Sequence, residues 1–170
     1  MKLLYGAVSL LLAPLYLLTA CWSSPQNSGE EIARQTGLDL SGGEEISCYD
    51  THSGNGDGVS CIVWQFPDDQ VLEQVEQDAR WEALPLDETE QTLAYGISGD
   101  WGSMGPYLTD EEGKALLPQV KEGYTLLLDR HQEAEEGEDR AQILKRYSLN
   151  LTLALYDSGA NTLYFCELDT

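Results

Sequence analysis

The stretch YSLNLTLALY, Tyr147–Tyr156, decides the fold. Tyr147, Leu149, Leu151, Leu153 and Leu155 occupy every second position, with Ser148, Asn150 and Thr152 between them. Side chains alternate between the two faces of a strand, so a period of two predicts a strand packed on one side and wetted on the other. Asp157-Ser158-Gly159-Ala160-Asn161 then supplies turn formers, and Thr162–Leu168 returns with Leu, Tyr, Phe and Cys. Two such runs around a short polar loop read as a β-hairpin.

The elements before it follow from the same rules. Tyr124–Arg130 reads as a strand, and Gln132–Asp139 as an acidic connection. Glu44–Thr51 and Val59–Phe66 form a second hairpin around the glycine-rich loop 52–58. Helices are expected from Ser28, where Ser28-Gly29-Glu30-Glu31 has a capping-box pattern and Gly37 is a stop. A second starts after Pro67-Asp68-Asp69, with Val71, Leu72, Val75 and Ala79 on one face. A third spans Asp87–Tyr95, and a short one is expected over residues 110–117, ended by Pro118. Ser98–Pro106 reads as a loop. The expectation is one α+β domain, residues 29–170. Its antiparallel sheet has about five strands, in the order β-β-α-α-β-β-β, with short helices over one face.

The N-terminus is a different kind of sequence. Lys2 is the only charge in residues 1–20, and Leu3–Leu18 is an apolar run interrupted by Pro14. It ends in Leu18-Thr19-Ala20-Cys21, an aliphatic residue and two small ones before a cysteine, which is the pattern of a lipobox. The reading is a signal peptide over residues 1–20, cleavage before Cys21, and a diacylglyceryl group on the Cys21 thiol. Two acyl chains meet the requirement for stable anchoring, where one would be marginal. Residues 21–28 follow as a polar tether. The expected location is the cell membrane, lipid-anchored, on the extracytoplasmic face.

The chain carries 30 acidic and 9 basic residues, a net charge of −21. Such a surface repels nucleic acid and other polyanions, and attracts cations. The expected partner is therefore the membrane through the lipid anchor, with no nucleic acid. A protein, peptide or glycan partner is left open, and no cofactor is expected.

The segments Tyr49–Gly54 with Gly56-Asp57-Gly58, and Arg146–Thr152 running on to Tyr156-Asp157 and Thr162-Leu163-Tyr164, resemble small uncharacterised lipoproteins of Gram-positive gut bacteria. The resemblance spans most of residues 44–170. It implies an export route, a shared fold and an outward-facing domain, and it brings no active-site residue with it.

Candidate chemistry is sparse. Cys48 and Cys61 lie on facing strands and would form a disulfide in the right register; otherwise they are small buried residues, with Cys166 a third. Asp50, His52 and Asp57, with Asn55, offer ligands for a divalent cation, but their spacing matches neither an EF-hand nor a zinc motif, and a tight turn needs the same residues. His131 adjoins the acidic run and reads as solvated. Trp101 and Tyr107 flank a glycine-rich segment and offer either an apolar contact face or rings folded back over the helices. The functional expectation is a non-catalytic binding or envelope-associated module. The alternative is a secreted hydrolase with a site assembled from loops 50–58 and 98–107, which requires a histidine within reach of both a nucleophile and a carboxylate.

Overall fold

The computed structural model describes residues 25–100, 102–131 and 140–170. The expectations for Cys21, Trp101 and Gln132–Asp139 lie outside these residues. The fold is α+β. Its elements run α1 (Pro25–Thr36), β1 (Glu44–Asp50), β2 (Gly58–Gln65), α2 (Gln70–Gln77), β3 (Glu82–Ala83), α3 (Glu88–Tyr95), β4 (Ile97–Gly99), β5 (Gly102–Met104), β6 (Gly123–Asp129), α4 (Arg140–Ile143), β7 (Asn150–Asp157) and β8 (Thr162–Asp169).

Six of these strands form one antiparallel sheet in the order β1-β2-β8-β7-β6-β3. Both expected hairpins are present, as β1–β2 and β7–β8. Their joining is non-local: β2 pairs with β8, placing the N-terminal hairpin beside the C-terminal one. The sixth strand, β3, is two residues long and blunts the far edge. Ser98–Pro106 is more ordered than a loop, because β4 and β5 form a small separate ribbon.

The sheet is covered on both faces, where helices over one face were expected. On one face Ile32 of α1 and Val71 and Val75 of α2 pack on Ile62, Leu126, Ala154, Tyr156, Leu163 and Phe165. On the other, Leu93 and Ala94 of α3, Ile143 of α4, and Leu108 and Leu117 pack on Leu127, Leu151, Leu153, Leu155 and Leu168. Strand β7 is therefore buried on both sides: Thr152, Ala154 and Tyr156 are 0% exposed. Thr152 can be there because its hydroxyl donates to Gln35 Oε1 of α1 at 2.5 Å. A buried polar group costs little once it is paired.

Three local expectations are corrected. Helix α1 begins at Pro25, so the stretch read as a tether is already helical there. Ser28 is not its cap; its hydroxyl donates to Glu45 Oε2 of β1 at 2.9 Å. Residues 110–117 are not helical: Asp110 closes a turn by accepting from the Lys114 amide, and Thr109 bridges to Ala115. Asp110 and Gly113 favour that local bonding over a helix. The expected stop of α1 does hold. Gly37 leaves the helix at φ +78°, and Arg80 donates to the Gln35 and Thr36 carbonyls that α1 leaves unpaired. Helix α3 has a full capping box between Asp87 and Glu90.

Candidate functional site

Antiparallel register fixes which side chains share a face. Asp50 of β1 faces Ser60 of β2, and Ser60 faces Glu167 of β8. Two residues along, Cys48, Ile62 and Phe165 form the next row. Above these rows lies the first turn of α1 and the one after it. The result is a cavity of about 230 Å³ lined by Ser28, Glu31, Cys48, Asp50, His52, Ser60, Ile62, Phe165 and Glu167. Its floor is apolar, and its walls carry carboxylates.

The carboxylates are engaged to different degrees. Glu31 is bound by Arg34 through both oxygens and by Gln35, and these hydrogen bonds, the one from Arg34 first, hold its carboxyl below the ordinary 4.5. Glu167 accepts from Gln35 through Oε1 at 2.9 Å, and Arg130 lies 3.6 Å from that same oxygen. Asp50 uses Oδ1 for both the His52 amide, at 2.9 Å, and the His52 ring Nδ1, at 2.7 Å. Among the described residues, nothing bonds Asp50 Oδ2 or Glu167 Oε2. Ser60 is 6% exposed, and its hydroxyl likewise has no partner among the described residues.

His52 closes one end. Its Nε2 lies 3.1 Å from Asp169 Oδ2, an oxygen that Arg130 also holds at 3.1 Å. Gly58 lets the loop close this far, since a Cβ there would stand 2.5 Å from His52 Cα. Both ring nitrogens thus face carboxylates, and neither faces a hydroxyl or thiol.

The expected site residues are redistributed. Asp50 and His52 meet, but Asp57 bonds back to Asn55 within its own loop, at 2.8 Å. The trio is not assembled for a cation, and no cluster of three or more metal-ligating side chains occurs among the described residues. Cys48 and Cys61 do not bridge: Cys61 faces Tyr49, one residue out of register with Cys48, so the two side chains lie on opposite faces of the sheet. Cys61 instead bonds Cys166, its register partner on β8. Tyr107 is half-buried against the second core, with its amide bonded to the Leu93 carbonyl at 2.9 Å. The cavity takes residues from the start of loop 50–58 and none from 98–107.

Comparison with known proteins gives no match. No family model, curated protein or solved structure aligns with this chain. Ser60, Glu167 and Asp169 were passed over in the sequence, although a signal exists: polar residues recur at period two on the strand face that also carries Phe165 and Ile62.

Proposed function

We propose that the protein is a lipid-anchored extracytoplasmic binding module whose ligand enters the cavity between α1 and the β1–β2–β8 corner of the sheet. The observation that carries this reading is the cavity itself: an apolar floor with a few unengaged polar atoms converging on it, which is the general form of a small-ligand site. Two features support the cellular setting. The lipobox-like Leu18-Thr19-Ala20-Cys21 ends an apolar leader. The Cys61–Cys166 disulfide suits an oxidising compartment.

The anchor would lie close to the site. Between Cys21 and the start of α1 at Pro25, an extended chain covers at most about 14 Å. Ser28 and Glu31, which wall the cavity, follow directly on that helix. The ligand would then be met near the membrane surface. Binding is preferred to hydrolysis because His52 spends both nitrogens on carboxylates and has none for a nucleophile.

Two measurements test the reading. Metabolic labelling with a fatty-acid probe should mark the wild type and not Cys21→Ser; equal labelling would remove the anchor. A fragment screen followed by amide shifts in the ¹⁵N-labelled full chain should move Asp50, Ser60 and Glu167 together. Shifts confined to other surfaces would retire this cavity as the site.

A further inference from the structure

The row Asp50–Ser60–Glu167 presents three acceptors to one cavity. Neighbouring Cβ atoms in such a row are about 4.5–5.5 Å apart, so Ser60 sits centrally with a carboxylate on each side. The hydroxyl is the informative member. Ser60 is 6% exposed as a residue and lines the cavity, and its hydroxyl, which meets the cavity's solvent, has no protein partner among the described residues. A hydroxyl without a protein partner keeps its donor and acceptor capacity for a ligand. On either side, Asp50 Oδ2 and Glu167 Oε2 are unengaged, while the other oxygen of each is already held by His52 or by Gln35 and Arg130.

We infer that this cavity takes the primary ammonium end of an aliphatic amine, held by Ser60 Oγ, Asp50 Oδ2 and Glu167 Oε2, with the alkyl stem over Ile62 and Phe165. The inference rests on the reading of the cavity as a binding site. An ammonium has three donors and no acceptor, which matches three acceptors on three adjacent strands. A guanidinium presents a planar fork suited to both oxygens of one carboxylate, and here each carboxylate has only one open oxygen. A quaternary ammonium has no N–H for Ser60, and among the described residues the cavity has one phenyl ring, Phe165, and the His52 imidazole rather than a cage of Trp, Tyr or Phe. A neutral apolar guest would desolvate the carboxylates without compensation. Glu31 adds little pull, because Arg34 and Gln35 already hold it. The same chemistry occurs on a lysine side chain of a peptide and on a free diamine.

The test uses the ¹⁵N-labelled full chain in non-ionic micelles at fixed salt, titrated with n-butylamine at neutral pH. Amides of Asp50, Ser60 and Glu167 should shift saturably. Ser60→Ala and Glu167→Gln, each checked for an unchanged fold by the rest of the spectrum, should weaken binding about tenfold or more, as expected for loss of a hydrogen bond to a charged group. Ser60→Ala removes only a hydroxyl, so it keeps the test sharp if Glu167→Gln disturbs Gln35 and Arg130. Stronger binding of Nα-acetyl-lysine amide than of cadaverine would support a peptide source, and the reverse order a free amine. If n-butanol or tetramethylammonium binds as well as butylamine, the ammonium inference is overturned while the cavity remains a binding site. If neither the amine nor the alcohol moves these amides, both readings fall.

Discussion

Replacing Cys61 and Cys166 together by alanine should cost the fold several kcal/mol, almost entirely through the unfolded chain. The bond joins residues 105 apart in sequence and ties the N-terminal hairpin to the C-terminal one. Closing a loop of that length removes conformational entropy from the unfolded ensemble worth about 4.7 kcal/mol, with measured values for native bridges of about 2–5. Total stability of a domain of this size is roughly 5–15 kcal/mol, so the loss is a large fraction. Near the melting point it corresponds to a fall of roughly 10–20 °C. Alanine at both positions avoids burying an unpaired thiol or hydroxyl where the native residues are 4% and 0% exposed. The native strands should be undisturbed, since β2 and β8 remain paired over eight residues each. Urea unfolding followed by tryptophan fluorescence is the assay. The double variant should show a lower midpoint and a steeper slope, because an unfolded chain freed of the cross-link exposes more surface. A loss below about 1 kcal/mol with an unchanged slope would show that the unfolded chain is already compact and refute the entropic reasoning.

Three further outcomes follow from the packing. Thr152→Val is nearly isosteric but leaves Gln35 Oε1 without its donor, so it should cost about 1–3 kcal/mol in urea; a neutral result would mean that face of β7 is wet after all. Glu90 sits buried in α3, and desolvation, helped by the Asp87 charge, raises its carboxyl above the ordinary 4.5. The native state therefore holds that proton more tightly than the unfolded chain, giving stability that is complete below pH 4.5 and lost as the pH rises through the raised native value. Glu90→Gln should lack this component, so wild type should lose more stability than the variant between pH 4 and pH 7; parallel pH profiles would contradict it. Gly58→Ala places a Cβ 2.5 Å from His52 Cα, which must displace the loop, cost about 1–3 kcal/mol and shift the His52 amide; an unmoved His52 would show that the close approach is not needed.

Much of the secondary structure was legible because it rests on local chemistry. The alternation in Tyr147–Tyr156, the turn residues of 157–161, the acidic start of α3 and the glycine after α1 each act within a few residues. Where the local signal was two-valued, the reading failed. Asp110-Glu111-Glu112-Gly113 can cap a helix or close a turn, and Thr109–Ala115 pairing selected the turn. Ser28-Gly29-Glu30-Glu31 has the residues of a capping box, yet α1 begins before it and the Ser28 hydroxyl turns to β1.

By itself the sequence determined the strand hairpins, the starts of α2 and α3, the acidic surface and the apolar leader that ends at Cys21. These depend on side-chain period, on backbone preferences and on composition, all of which are written along the chain. Only the tertiary structure decided that β2 lies beside β8. That one non-local pairing gives Cys61 the partner Cys166 in place of Cys48 and aligns Asp50, Ser60 and Glu167 in one row, and the packing of helices on both sides of the sheet buries both faces of β7. The physical reason is register. A strand turned by one residue would send every one of these side chains to the opposite face, and register between distant strands is set by the whole core packing on them.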